Sequence, residues 1–401
     1  MDFGWSAEER AIRDAARALA EREFAHDPAL APGRREYPWH VASRLAEQGF
    51  GGLCLPPADG GQGAGLLAAV LALEAVTEVA PRAGDVLAAM NFGAVQQIAA
   101  HGSAAQRARY LPDLLAGRKL VSIAMSEPEA GSAVTDLTTR AEPDGQGGYR
   151  LYGRKVFNTG GMHAHLWVVW VRFGPERDAC GAVLVEREAQ GLTLRPHRFM
   201  SGETYAELEF DGVPVRADDV LVARDGFRRM LRVFNVERLG NAARCLAYGQ
   251  RAFDLAREHT TTRRQFGRPL CEFQGVQWTM AEMRLKLESA RLLLYRAAQQ
   301  ADARGGVPSP EETSLAKWAC NTAGFEAAHL SLQLFGGYGF SAESELSYLF
   351  ARTRGWLIAG GTVEMQKNAV AEAVYGRHFP QRPPAGPHAD PTPSKEADVH
   401  A

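Results

Sequence analysis

The chain has 401 residues, 46% of them hydrophobic and 23% charged, with a formal net charge of −2. Those values suit a folded chain of two or three domains and supply no excess of positive charge for gripping nucleic acid or an anionic membrane. No apolar run reaches the ~18 residues of a membrane span, and the cysteines at 54, 180, 245, 271 and 320 make no C-x-x-C pair, so neither zinc nor a disulfide framework is expected.

The first stretch, "MDFGWSAEERAIRDAARALAEREF", is charged throughout and lacks the apolar segment of a secretory signal. A cytoplasmic location is therefore expected. Ser6 followed by Glu9 has the spacing of a capping box and predicts a helix start. "LPPADGGQGAG" is a turn-rich connector. "GLLAAVLALEAVTEVA" and "AAMNFGAVQQIAAHG" are almost wholly apolar and read as buried helices, giving a helical domain over 1–118. Between 119 and 227 come short runs rich in β-branched and aromatic residues, such as "HLWVVWVRFG" and "AELEFDGVPV", which predict an antiparallel barrel or sandwich. Helices return over 228–377. Val276, Met280, Met283, Leu287, Ala290 and Leu294 repeat every three or four residues, which suits a helical bundle and an oligomer interface. Residues 378–401 are proline-rich and predict a disordered tail. The class is α+β, with helical, β and helical units and one site between them.

There is no G-x-G-x-x-G after a strand and no P-loop. His163 and His165 of "HAH" would share one face of a strand, but without a third ligand they read as structural, and no metal site is expected. In "MSEPEAGSAVTDL", Ser126, Gly131 and Ser132 place hydroxyls and free amides where a pyrophosphate can be held. "GRKVFNTGG" ends a strand with Phe157 and Thr159, two residues apart and so on one face, a ring and a hydroxyl for a flat heterocycle. "TTRRQFGRPLCEFQ" offers Arg263 to a phosphate and Phe266 to an aromatic ring. "QLFGGYGFSAE" and "IAGGTVEMQKN" add glycine-lined backbone with Gln333, Thr362 and Glu364, although a helix C-cap explains "GGYGF" equally well. In "FNVERLGNAAR", Val236, Leu239, Ala243 and Leu246 form a core stripe, and Glu237 is turned about 100° from it. Glu237 shares its face with Val233, Phe234, Gly240 and Asn241 and has no Lys or Arg three or four positions away. It is either a solvated helix-edge carboxylate or one facing a cavity.

In order and spacing these stretches resemble the acyl-CoA dehydrogenase family over residues 3–377. The matching motifs are the Ser-Glu-Pro-x-Ala-Gly-Ser loop, the aromatic-x-Thr strand end, Arg-x-x-Phe-Gly, Gln-x-x-Gly-Gly and Gly-Thr-x-Glu-x-Gln. The resemblance implies a helical domain, a β domain and a C-terminal four-helix bundle. It also implies FAD shared between subunits of a homotetramer or dimer, an acyl thioester substrate on CoA or a carrier protein, and an electron-transferring flavoprotein as acceptor. By motif, Ser126 and Thr159 would bond the flavin ring, Met125 would belong to the same loop, and Phe157 would stack near the ring. Ser132 would reach the pyrophosphate. Arg263, Phe266, Gln333 and Gly337 of a neighbouring subunit would hold the ADP half, with Thr362 and Glu364 beside the cofactor.

The family's reaction removes an α-proton with a carboxylate while the β-hydrogen leaves as hydride to flavin N5. In most members that carboxylate is the Glu immediately before the final Gly-Thr; here Gly360 holds the slot, and glycine cannot take a proton. Either dehydrogenation is lost or another carboxylate reaches the α-carbon. Some relatives carry the base in a Glu-Arg pair on a C-terminal helix, which Glu237 and Arg238 resemble, with Gly360 leaving room. A flavin monooxygenase or oxidase on the same fold, or a non-catalytic flavin-binding subunit of a heteromeric complex, are the alternatives. The chain also departs from the family at Ala133, at Glu129 and in "LFARTRGWLI", which lacks a common Arg-Asp pair.

Overall fold

Ser6 accepts a hydrogen bond from the Glu9 amide at 3.1 Å and donates its own amide to the Glu9 carboxylate at 2.6 Å, so the capping box opens α1 (Ala7–Glu23). The computed structural model describes residues 4–176, 179–223 and 226–382. After α1 come α2 (Trp39–Glu47), α3 (Leu66–Val79), α4 (Pro81–Asn91), α5 (Ala94–His101) and α6 (Ala104–Leu115). Residues Leu66 to Thr77 of α3 are all buried. Such a helix has no solvent face and must lie inside a larger helical body. Its one buried carboxylate, Glu74, meets Arg291 at 3.3 Å.

The stretch "AAMNFGAVQQIAAHG" is not one helix. It breaks at Phe92, which is extended, and Gly93, at φ 73°, a left-handed conformation that glycine adopts without penalty. The break swings α5 away from α4 and leaves its first turn open toward the C-terminal helices.

The β domain holds β1 (Val121–Ala124), β2 (Arg140–Pro143), β3 (Tyr149–Asn158), β4 (Leu166–Arg172), β5 (Cys180–Glu186), β6 (Leu192–Arg198), β7 (Thr204–Val215) and β8 (Val220–Val222). They form one sheet in the order β6-β7-β3-β2-β4-β5-β8, with β1 beside β4. Pairing is antiparallel except at β1–β4 and β2–β4. Strand β4, "LWVVWVR", is buried from Leu166 to Val171 because both its faces are covered. Leu166, Val168 and Trp170 pack with residues of α5 and α6, while Trp167, Val169 and Val171 pack with β3, β5 and β7. Each such side chain contributes roughly 1.5–3 kcal/mol.

The last unit is α7 (Phe227–Thr262), β9 (Arg264–Gln265), β10 (Arg268–Pro269), α8 (Gln274–Ala303), α9 (Pro310–Phe335), α10 (Gly337–Phe340), α11 (Glu345–Trp356) and α12 (Val363–Tyr375). Met283, Leu287, Ala290 and Leu294 of the α8 stripe are buried, whereas Val276 and Met280 are only half-buried. The helices of the first and last units share one core, in which Leu71, Leu87, Leu246, Leu287 and Cys320 all take part. Among the described residues no helix is long and apolar enough to cross a membrane. Residues 383–401, most of the predicted tail, lie outside the described residues.

Two local expectations are corrected. His163 ends a short 3-10 turn and His165 precedes β4, so they do not share a strand face. The ring of His163 meets the Arg35 carbonyl at 2.9 Å, and His165 Nδ1 accepts from the Leu120 amide at 3.3 Å. Phe157 and Thr159 do not alternate regularly either. The register of β3 on β7 slips between Lys155 and Asn158, Phe157 sits at φ 63°, and Thr159 lies past the strand end.

The loop after β1 is anchored by a buried ion pair. Lys155 of β3 is wholly buried, and its Nζ donates to Glu127 at 2.8 Å and to the Met125 carbonyl at 3.0 Å. Glu127 also accepts from the amides of Thr138 and Thr139 at 2.6 and 2.9 Å. Burial pushes its carboxyl up, but Lys155 and the threonines outweigh burial and hold it at about 2. Lys155→Met, which strands that charge, is expected to lower unfolding stability by about 3–5 kcal/mol, measured by chemical denaturation followed by circular dichroism.

Candidate active site

Residues Glu237, Asn241, Arg244 and Tyr248 recur every three or four positions along α7 and make one polar stripe beside the apolar stripe of Val236, Leu239, Ala243 and Leu246. Asn241, Arg244 and Tyr248 are buried, while the Glu237 side chain keeps 21% exposure. Glu237 is therefore neither a surface carboxylate nor a sealed one. Its Oε1 lies 3.8 Å from Arg244 Nη2, a partner two turns along rather than one. Its Oε2 abuts Gly93, where a Cβ would run into it. Burial raises the Glu237 carboxyl above its ordinary 4.5; Arg244, a hydrogen bond with Asn241 and the charge of Lys317 oppose that rise without cancelling it.

The turn between α11 and α12 closes the same region. Arg238 Nε donates to the Gly360 carbonyl at 3.0 Å, and its Nη1 donates to Asn235 Oδ1 at 2.9 Å. Burial brings Arg238 down to about 10. Gly360 and Gly361 adopt φ 72° and 92°, which permits the tight turn. A Cβ at Gly360 would meet Asn241 Nδ2 at 2.8 Å and Lys317 Cε at 3.4 Å. The space left at 360 is thus bordered by Asn241 and Lys317 rather than filled by Glu237 itself. Lys317 of α9, wholly buried, donates to the Trp356 carbonyl at 3.4 Å, and Asn321 donates to the same oxygen at 2.5 Å. Burial lowers the Lys317 amine to about 7.

Behind Glu237 the stripe enters a charged junction. Asp85 Oδ1 accepts from Arg244 Nη1 at 3.1 Å and from Arg352 Nη2 at 2.7 Å. Arg352 also pairs with Glu203 and donates to the Tyr205 hydroxyl at 3.1 Å. From Tyr205 an aromatic series runs through Phe199, at a ring separation of 4.3 Å, to Phe157, at 5.9 Å. Phe157, one of the aromatic residues expected beside the cofactor, is therefore linked to Glu237 by contiguous side chains.

Hydrogen bonds to their carbonyls tie Ser126 to β3, beside Phe157, and Thr159 to β1. The Val156 amide donates to the Ser126 carbonyl at 2.9 Å, and the Ser122 hydroxyl donates to the Thr159 carbonyl at 2.9 Å. Met125, half-buried, is held by Lys155; Ser132 lies exposed further along the loop. Phe157 is half-exposed although its backbone is strained, a combination that marks sites where a ring is held for a purpose other than packing. Thr362 caps α12, its Oγ1 accepting from the Met365 amide at 3.3 Å, and Glu364 is exposed in the first turn.

The third group stands apart on the C-terminal helices. Arg263, Gln333 and Gly337 line one cleft of about 590 Å³ together with His259 and Tyr338. No atom lies within 4 Å of where side chains at Gly336 and Gly337 would start, so backbone is open to a ligand there. Phe266 tips the β9–β10 hairpin at φ 49° and is 94% exposed. A guanidinium, bare backbone and an unpacked ring suit the phosphate and base of a nucleotide.

Several residues at the site escaped sequence reasoning. Asn241 enters the sequence pattern only as a neighbour of Glu237, and Arg244, at the next position of the same face, is within reach of that periodicity. Asp85, Lys317 and Arg352 come from three other helices and Glu203 from the turn before β7, and they carry no shared spacing. Lys155 and Glu127 left one signal, a charge inside a strand and another inside the loop it anchors.

Comparison with known proteins adds three family models that match in succession. They are acyl-CoA dehydrogenase N-terminal domain over residues 6–118, middle domain over 122–213 and C-terminal domain over 224–375. The chain is similar to a 3-sulfinopropanoyl-CoA desulfinase of Paraburkholderia xenovorans, with 34% identity over 93% of this chain and 97% of that protein. Its fold is similar to butyryl-CoA dehydrogenase of Megasphaera elsdenii, with TM-score 0.86, 26% identity, and coverage of 94% and 100%. A glutaryl-coenzyme A dehydrogenase in complex with glutaryl-CoA gives TM-score 0.88 and 25% identity, covering 97% and 100%.

Gly93→Ala would force a side chain into the left-handed region and against the Glu237 carboxylate. A stability loss of about 1–3 kcal/mol is expected, read as a lowered midpoint in thermal unfolding.

Proposed function

The chain belongs to the acyl-CoA dehydrogenase family and is an FAD-dependent oxidoreductase, and from that premise we propose that it takes two hydrogens from the α and β carbons of an acyl thioester, on CoA or a carrier protein, with Glu237 as the base. The observation that carries this reading is the setting of Glu237: a partly open carboxylate with raised proton affinity, at the seam of α7, Gly93 just before α5 and the Gly360 turn. An α-C–H beside a thioester is a poor acid. Raising the proton affinity of the base narrows the gap between the two. Arg244 and Asn241 fix the carboxylate from one side. Arg238 holds the Gly360 turn in place, so the turn can wall the acyl group without competing for its proton.

FAD, when bound, supplies the acceptor for the β-hydrogen. Ser126 and Thr159, with Met125 and Phe157, would hold its ring, and Ser132 its pyrophosphate. Arg263, Phe266, Gln333 and Gly337 of a neighbouring copy would hold the ADP half, with Thr362 and Glu364 beside it. That division makes the working unit a homo-oligomer, dimer or tetramer. Trp278, Leu285 and Leu292, exposed at seven-residue spacing on α8, supply an apolar seam for it. An electron-transferring flavoprotein is the acceptor in this reading.

A second reading is favoured by one observation: the 34%-identical relative is named a desulfinase, and Gly360 removes the usual base. In that case the C–S bond of 3-sulfinopropanoyl-CoA would break with its electron pair left on carbon, which takes a proton, while the sulfur leaves as sulfur dioxide that water hydrates to sulfite. Incubation with that thioester and assay of free sulfite separates the two. Sulfite release that persists in Glu237→Gln would favour desulfination.

Under the dehydrogenase reading, Glu237→Gln should retain FAD and fold while turnover drops at least ~10²-fold. The base works only when ionised and burial raises its proton affinity. The rise of kcat/KM with pH should therefore lie above pH 4.5, the carboxyl's ordinary value, and should vanish in Glu237→Gln. A pH-independent rate above that value in the unsubstituted enzyme would exclude Glu237 as the base.

A further inference from the structure

The polar stripe of α7 does not stop at the base. One turn past Asn241, Arg244 is 94% buried by surface, being 6% exposed, and Arg352 is 5% exposed. Both guanidinium groups have an Nε with no hydrogen-bond partner, although a buried donor left unpaired costs free energy. Two guanidinium groups carry ten N–H donors between them. Asp85, Glu203, the Asn241 side-chain oxygen and the hydroxyls of Tyr205 and Tyr248 do not use them all. The junction is rich in donors and short of acceptors.

Charge points the same way. Arg244 and Arg352 balance Asp85 and Glu203, Glu237 faces Arg244 and Lys317, and Arg238 bonds only the neutral oxygens of Gly360 and Asn235. Once Glu237 takes a proton, its negative charge is gone, and the guanidinium groups of this region outnumber its carboxylates. An anion brought by the substrate would restore the balance. Arg244 Nη2 stands only 3.8 Å from the Glu237 oxygen, so the distal end of a short acyl group whose α-carbon touches Glu237 arrives beside Arg244. A long hydrocarbon chain would instead have to press against unpaired charge.

We infer that the enzyme's substrates are short acyl thioesters ending in an anionic group, a carboxylate or its equivalent, received by Arg244 with Arg352 and Asp85 holding that guanidinium from behind. The inference rests on Glu237 marking the α-carbon, as proposed above. Arg244 touches the substrate and sets specificity; Asp85 and Arg352 are positioning residues.

The test is calorimetric binding of succinyl-CoA and butanoyl-CoA, equal in carbon number, to the FAD-loaded Glu237→Gln protein. Succinyl-CoA is expected to bind at least about tenfold tighter, as a charge-assisted hydrogen bond would provide. Adding Arg244→Met should bring the ratio to about one, and Arg244→Lys should retain part of it. Equal affinities, or a preference for butanoyl-CoA, in the Arg244 background overturn the inference without recourse to any Arg244 variant. The two readings fail separately. Bleaching of the unsubstituted yellow protein by butanoyl-CoA, lost in Glu237→Gln, keeps the base and argues against the anionic terminus. An anionic preference in binding, with bleaching unaffected by Glu237→Gln, keeps the terminus and removes the base.

Discussion

Asp85, caught between Arg244 and Arg352, is the contact on which the arrangement of the site depends. It brings a carboxylate from the first helical unit to two guanidinium groups of the last, and Arg352 extends the link to Glu203 of the β domain. Charges taken this far out of water are tolerated only when paired and hydrogen-bonded. Removing one partner would leave others stranded, so the three units are committed to one relative placement. Glu237 inherits its position from that commitment through Arg244.

The same junction explains how the proposed base can sit on α7 rather than at position 360. A residue at 360 would project toward Asn241 and Lys317, whereas Glu237 approaches from α7 and rests against Gly93. Two glycines with positive φ, on opposite sides, thus shape the space around one acid. Neither contributes a side chain. Their absence of one is what keeps the carboxylate partly open and the turn close.

Much of this was legible in the chain. Capping chemistry marked α1, continuous apolar runs marked α3 and β4, and the motif series carried the family and the glycine at 360. Local chemistry failed where a longer-range constraint prevailed. "AAMNFGAVQQIAAHG" is apolar enough for one helix, yet it breaks at Gly93, whose positive φ turns the chain so that α5 packs on α7. Phe157 and Thr159 have strand spacing, yet a register slip turns the first out of alternation. The ion pair of Lys155 and Glu127 joins residues 28 positions apart, and no periodicity links them.

The sequence by itself determined the unit order and the family and singled out Glu237 as the proposed base, because propensity, periodicity and short motifs act between near neighbours. Tertiary structure alone decided what surrounds that acid. Arg244 as its neighbour, the wall made by Gly93, the slot bordered by Asn241 and Lys317, and the donor-rich junction behind all arise where α4, α5, α7, α9 and α11 converge. Proton affinity and charge balance depend on distance and burial, and these exist only once the chain has folded.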